Sequence, residues 1–283
     1  MKLGNTRATL MVPDGLEIDA ALARITHLGI GAHQDDLEIM AFHGITTCFR
    51  DPSRWFGGII CTDGRGSPRC GRYSSMTDEE MCRRRIQEQE NAARIGEYGV
   101  MAQLGYTSAQ VKSAARTALL DDLAALIDAC RPAAIYTHNL ADKHVTHIAV
   151  ALAVIEAVRA LPAKARPREI YGCEIWRDLD WLPAERKIAL DVSGFDNLAT
   201  ALTGLYDTQI AGGKHYDLAT LGRRRAHATY HESHATDEAS QLIFAIDLAP
   251  LVDDGALDPA TFVEGVIDRF RQEVISTIRN LQG

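Results

Sequence analysis

Residues 25–39 read ITHLGIGAHQDDLEI, and this stretch decides the fold. Ile25, Leu28 and Ile30 are the apolar positions of a buried β-strand, while Gly29, Gly31 and Ala32 between them let neighbouring backbone approach closely. The chain then turns polar at His33-Gln34-Asp35-Asp36. A helical pattern follows, with apolar Leu37, Ile39, Met40 and Phe42 and the small Ala41. A buried strand that delivers a histidine and two carboxylates at its C-terminal end suits an α/β enzyme, whose ligands sit outside the carboxyl ends of the strands. The same carboxylates could merely cap the next helix, since Asp is a favoured N-cap residue.

The strand-then-polar-turn pattern recurs along the chain. Residues 55–62, WFGGIICT, form a second buried strand that ends in the glycine-rich Asp63-Gly64-Arg65-Gly66-Ser67. That loop lacks the Gly-Lys-Ser/Thr ending of a P-loop, and no G-x-G-x-x-G opens the following helix, so nucleotide binding is disfavoured. Asp63 and Arg65 are candidate substrate contacts on a pocket wall, or members of an ordinary strand-to-loop turn. Thr77-Asp78-Glu79-Glu80 matches a capping box and starts a helix to about residue 98. Within it, Arg85 and Glu88 read as a solvated or packing ion pair. A third strand over 100–104 and a helix over 113–130 lead to a fourth strand, 133–137. This one too ends in polar chemistry, at His138-Asn139 and then Asp142-Lys143-His144-Val145-Thr146-His147, before an apolar helix over 148–161. His144 and His147, three residues apart, share one face of that helix mouth.

The second half is less regular. Strands are expected over 168–177, 187–192 and 242–248, and helices over 195–206, 216–228 and 261–281. Trp176, with Asp178, Asp180 and Trp181, could stack on and hydrogen-bond a sugar ring, or belong to the core. Residues 1–23 read as a leader covering a sheet edge.

At 283 residues, 46% hydrophobic and 24% charged, the chain can bury a sizeable core without disulfides. A net charge of −8 disfavours a general nucleic-acid binder. No apolar run approaches a membrane span, and residues 1–15 lack the apolar core of a signal peptide. Six scattered cysteines without a CxxC pair fit thiols in a reducing cytosol, so a cytoplasmic location is expected.

The alternation of strands and helices from residue 25 to 161 predicts an α/β fold: a Rossmann-like, mostly parallel sheet with helices on both faces. One domain is expected over 1–283, with a core of about 24–192 and a C-terminal elaboration of about 193–283. In such a sheet His33, Asp35, Asp36, His144 and His147 converge on one edge. A His/Asp/His set with an open position is the ligand count of catalytic zinc, and a leftover carboxylate can act as general base.

Ala32-His33-Gln34-Asp35-Asp36-Leu37-Glu38 and, about 110 residues later, His144-Val145-Thr146-His147 resemble the A-H-P-D-D-E and H-x-x-H motifs of the PIG-L/LmbE-like zinc-dependent N-acetylglucosaminyl deacetylases. The resemblance covers residues 25–161. It implies that His33, Asp36 and His147 bind Zn2+, that Asp35 is the general base, and that His144 stabilises the oxyanion or protonates the leaving amine. It also implies a small-molecule N-acetylated sugar as substrate, a homo-oligomer, and a late histidine, His234 or His227, completing the site from the same or a neighbouring subunit. Three positions depart from the family pattern: Gln34 stands for proline, Glu38 comes one residue late, and Thr146 stands where Asp is frequent. Two readings of different class remain, a hydrolase acting on an N-acyl sugar or related amide, and a non-catalytic sugar- or metal-binding protein on the same scaffold.

Overall fold

The computed structural model describes Met1 and residues 3–283. In chain order the elements are β1 (Thr9–Met11), α1 (Ile18–Ala23), β2 (His27–Gly31), α2 (Asp36–Met40), α3 (Phe42–Cys48), β3 (Phe56–Thr62), α4 (Asp78–Ile95), β4 (Val100–Tyr106), α5 (Ser108–Val111), α6 (Thr117–Cys130), β5 (Ala134–His138) and α7 (Val145–Ala160). The second half adds β6 (Glu169–Cys173), β7 (Ile188–Asp191), α8 (Asp196–Gly204), α9 (Asp207–Ile210), α10 (Tyr216–Tyr230), β8 (Leu242–Asp247), α11 (Ala249–Asp253) and α12 (Pro259–Gln282).

The strands form one eight-stranded sheet in the order β1-β4-β3-β2-β5-β6-β8-β7. Strands β4, β3, β2, β5 and β6 pair in parallel. From β2 the chain steps outward through β3 to β4, and β5 then returns to the other side of β2. The strand order therefore reverses between β2 and β5, and a crevice opens there at the carboxyl ends of the strands. Both polar turns singled out in the sequence follow these two strands. The Thr137 hydroxyl donates to the Ile30 carbonyl at 3.0 Å and seams the strands just below the crevice.

Helices cover both faces, as the alternation predicts. One core packs α1, α6, α7, α11 and the start of α12 on the sheet through residues such as Leu22, Leu123, Val154, Leu251 and Phe262. The other packs α2, α3, α4 and α8 through Leu37, Phe42, Ala92 and Leu202. The Thr77 capping box forms as expected. All six cysteines are free. No helix among the described residues is long and apolar enough to cross a membrane.

The structure refines the sequence reading at both edges of the sheet. Residues 9–11 do more than cover an edge: β1 adds to it, antiparallel to β4. Strand β8 runs antiparallel to both β6 and β7, so residues 242–247 are inserted into the sheet rather than appended to it. The helical pattern after the Asp pair forms two helices broken at Ala41, and a short helix, α5, precedes α6.

Glycine in β2 is explained by what lies over it. A Cβ on Gly31 would stand 3.0 Å from the Cβ of Asp36, so the missing side chain lets that carboxylate fold back on the strand end. A Cβ on Gly29 would meet the Phe56 ring at 2.7 Å and a Leu37 methyl at 3.0 Å. Gly29→Ala is therefore expected to destabilise the fold by about 1–3 kcal/mol, the usual cost of overpacking a close-packed core, as read from urea denaturation midpoints.

Candidate functional site

The turn after β2 puts Asp35 in the left-handed region, at φ 96° and ψ −26°. For a residue with a Cβ this conformation costs on the order of 1–3 kcal/mol and persists only where its surroundings impose it. Here they do. The Asp35 amide donates to Gln89 Oε1 at 3.2 Å. Tyr206 donates to the same oxygen at 3.0 Å. Gln89 Nε2 in turn donates to Glu38 at 2.9 Å, and Tyr98 donates to the same carboxylate oxygen at 2.7 Å. All of these side chains are buried. The kink sends consecutive carboxylates to different tasks. Asp36 folds back to accept the His33 amide at 2.6 Å, while Asp35 lines an open cavity.

Around Asp36 the donors converge. His33 Nδ1 lies 3.2 Å from His147 Nε2. Asp36 Oδ2 lies 3.5 Å from His33 Nδ1, and Asp36 Oδ1 lies 3.6 Å from His147 Nε2. The Asp36 separations are taken to its nearer oxygen, and all three are short enough for the side chains to share one cation with ~2.0–2.1 Å bonds to nitrogen and oxygen. Three acceptor-capable groups facing one another repel unless a cation or a proton sits between them, so the residues fit a divalent metal. Two overlapping donor groups share His147: His33, His144 and His147, and Asp36, His138 and His147, each set lying within 4.8 Å.

The electrostatics match that use. Burial, with neighbouring His138, pulls His147 down to about 4, and burial with His33 lowers His144. Both rings are therefore neutral near pH 7, the form that ligates metal. Burial alone would raise Asp36, but His147, His138 and His33 hold its carboxyl well below the ordinary range. Behind His147, Asp142 Oδ1 lies 3.6 Å from Nδ1, and the same carboxylate is fixed by the amides of His144 at 2.8 Å and Trp176 at 3.1 Å. Asp142 thus stands as a charge behind the His147 ring, beyond hydrogen-bond reach but placed to orient it.

Asp35 has the opposite environment. Burial pushes its carboxyl well above the ordinary range, Arg85 opposes that, and the nearby Asp36 adds to it. Arg85 is fully buried, 3.5 Å from Asp35 Oδ1 and 3.8 Å from Glu88. It also donates to the Gln34 carbonyl. The Arg85–Glu88 pair is thus a buried brace behind Asp35 rather than a solvated one.

The cavity above these groups measures about 320 Å3, and Asp35, Asp36, His33, His144 and His147 all line it. Trp176 stands on its wall beside Tyr216 and Lys214, with the Lys214 ammonium 4.8 Å from the Trp176 ring centre. Asp63 and Arg65 are engaged with each other, Arg65 Nε donating to Asp63 at 2.6 Å, while Gly64, Gly66 and Ser67 of their loop face the cavity. His234 lies on an exposed turn, and His227 is buried against Glu174 at 2.8 Å; neither lines this cavity. Sequence reading assigned no role to His138, whose Nε2 accepts the Ala32 amide at 2.9 Å and lies 3.2 Å from Asp36. Its place at the last position of β5 was the available signal.

Helix α10 braces the site from behind. Arg224 is buried, lies over the Phe42 ring at 4.2 Å, and donates to the carbonyls of Glu38 and Ile39 at 2.7 and 3.1 Å. Arg223 donates to the Ile175 carbonyl next to Trp176.

Residues 28–158 match the PIG-L family, described as GlcNAc-PI de-N-acetylase. No curated protein matches the chain. Among solved structures, a conserved protein from Thermus thermophilus superposes with a TM-score of 0.61 at 17% identity, over 83% of this chain and 99% of that one. The 4-carboxy-2-hydroxymuconate hydratase of Pseudomonas putida gives 0.61 at 15% identity, over 79% and 96%. The N,N'-diacetylchitobiose deacetylase of Pyrococcus horikoshii gives 0.57 at 17% identity, over 77% and 83%. At these identities the likeness is one of fold.

Replacing Asp142 by Ala is expected to weaken metal binding by roughly 10–100-fold, the usual loss when a ligand histidine loses its carboxylate. Competition with a chromophoric chelator measures this, and an unchanged affinity would remove Asp142 from the metal's support.

Proposed function

Because residues 28–158 match the PIG-L family, we propose that this chain is a zinc-dependent hydrolase that removes the N-acetyl group from an N-acetylglucosamine-containing small molecule. One observation carries the reading: a buried carboxyl, Asp35, lines one cavity with His33, Asp36 and His147, which lie close enough to share a cation. A protein that only bound metal would have no use for a spare carboxylate held there in a costly conformation.

His33, Asp36 and His147 would hold the metal. When bound it supplies a Lewis acid that polarises the acyl carbonyl and makes water a stronger acid. Asp35 takes a proton from the attacking water as the new C–O bond forms. Its raised pKa makes it a better base than an ordinary carboxylate, nearer the operating pH. His144, kept neutral by burial and by His33, offers one N–H to the oxygen on which negative charge develops. When the C–N bond breaks, Asp35 returns the proton to the departing nitrogen, and acetate and a free amine result. Trp176 offers an aromatic wall for the sugar ring. Lys112 and Lys214 line the cavity, and neither is engaged by a carboxylate among the described residues, which suits a substrate bearing negative charge.

Asp35→Asn is expected to retain zinc and lose ~10²–10⁴-fold in kcat, in line with removing a general base, while His147→Ala loses both metal and turnover. Metal content by mass spectrometry and acetate release on the same preparations separate the two. Full activity in Asp35→Asn would overturn the base assignment.

Acetate release from neutral and anionic N-acetylated sugars is expected to stop with a chelator and return with zinc. Loaded protein that releases acetate from no member of such a panel would favour the non-catalytic reading.

A further inference from the structure

One buried titratable pair takes no part in the chemistry above. His227 on α10 is 7% exposed, and Glu174, just past the end of β6, is 3% exposed. His227 Nε2 stands 2.8 Å from Glu174 Oε1 and 3.0 Å from Oε2. The same carboxylate accepts the Phe244 amide of β8 at 3.1 Å and the Leu179 amide of its own turn at 3.1 Å. Each oxygen is therefore held from two sides. A buried polar pair adds little stability over apolar side chains of similar volume. What this pair supplies is a fixed geometry for the next two residues, Ile175 and Trp176, which line the cavity.

Helix α10 holds this turn at three points. Tyr216, Arg223 and His227 are spaced by seven and four residues, so they lie along one stripe of the helix. The Tyr216 ring meets the Trp176 ring edge-on, with centres 6.0 Å apart. Arg223 donates to the Ile175 carbonyl, and His227 reaches Glu174. From the opposite side, Asp142 accepts the Trp176 amide at 3.1 Å, and Arg177 Nε donates to the Ala141 carbonyl at 2.6 Å. The turn is thus clamped at its backbone, and the Trp176 ring is placed through that clamp and by its neighbours Tyr216 and Lys214.

We propose that the Glu174–His227 pair is a positioning element: it fixes the backbone that presents Trp176 to the substrate, and so governs affinity for the sugar rather than turnover. This rests on the deacetylase reading of the cavity, with Trp176 as its sugar wall. His227→Gln and His227→Asn separate reach from polarity, because a Gln amide ends near where Nε2 stands and an Asn amide, one methylene shorter, falls short of Glu174. His227→Asn is expected to raise KM for N-acetylglucosamine roughly 10-fold with kcat and zinc content unchanged, the pattern of lost uniform binding. His227→Gln should restore KM. A second readout needs no turnover. In a Trp55→Phe, Trp181→Phe background Trp176 is the sole tryptophan. There His227→Asn should shift its emission and raise its quenching by acrylamide, while His227→Gln should not. Wild-type protein that releases no acetate counts against the deacetylase reading, and the fluorescence then decides the positioning role by itself. An unchanged KM or an equal fall in kcat in His227→Asn, loss of its folded state, or unaltered Trp176 emission and quenching would each overturn the proposal.

Discussion

A single backbone conformation, the left-handed turn at Asp35, is what the site depends on. Two adjacent carboxylates in a regular helix start would lie close together, and their mutual repulsion would favour protonating one of them without assigning it a place. The kink separates them. Asp36 is returned to the strand end, among histidines that stabilise its charge. Asp35 is left against Arg85, in a setting that resists charge. The difference in environment, rather than in residue type, suits one carboxylate to a cation and its neighbour to a proton. The cost of the kink is met by Gln89, and Gln89 is itself fixed by Tyr206 and by Glu38, which Tyr98 holds in turn. The chemistry of the pocket therefore rests on a polar network buried between α2, α4 and α8.

The sheet supplies the location and little else. The crevice between β2 and β5 exists because the strand order reverses there, and any chain with this topology offers it. Among the solved structures that share the fold are a hydratase and a deacetylase. The fold therefore does not name the reaction, which has to be read from side chains.

Much of this was legible in the sequence because it is local. Strand periodicity, glycines beneath a helix, a capping box and polar residues at strand ends each depend on a few neighbouring positions. The alternation of strands and helices therefore predicts the layers, and His33, Asp35, Asp36, His144 and His147 are found lining one cavity. What was not legible depends on distant partners. Gln89 and Arg85 occupy polar positions of a charged helix and look like any solvent face until α8 and the stretch around residue 208 are folded over them. His138 appears in the sequence merely as the last residue of a strand. Asp142 is one of several acids in a polar turn, and its value comes from standing behind His147. Antiparallel insertion of β8 was hidden as well, because an apolar strand carries no mark of its direction.

Arg224 gives the fold an unexpected dependency. Every motif residue discussed above lies before position 150, yet the helix that follows the Asp pair ends in carbonyls that are satisfied by a guanidinium from α10. Amputating the chain after the last motif would uncap α2, uncover Phe42 and leave the Ile175 carbonyl beside Trp176 without its donor. The recognisable half is thus not a portable module. In transplantation or minimisation, the anonymous later helix has to travel with the motifs, and sequence drift in α10 should be constrained by the geometry of a helix nearly two hundred residues upstream.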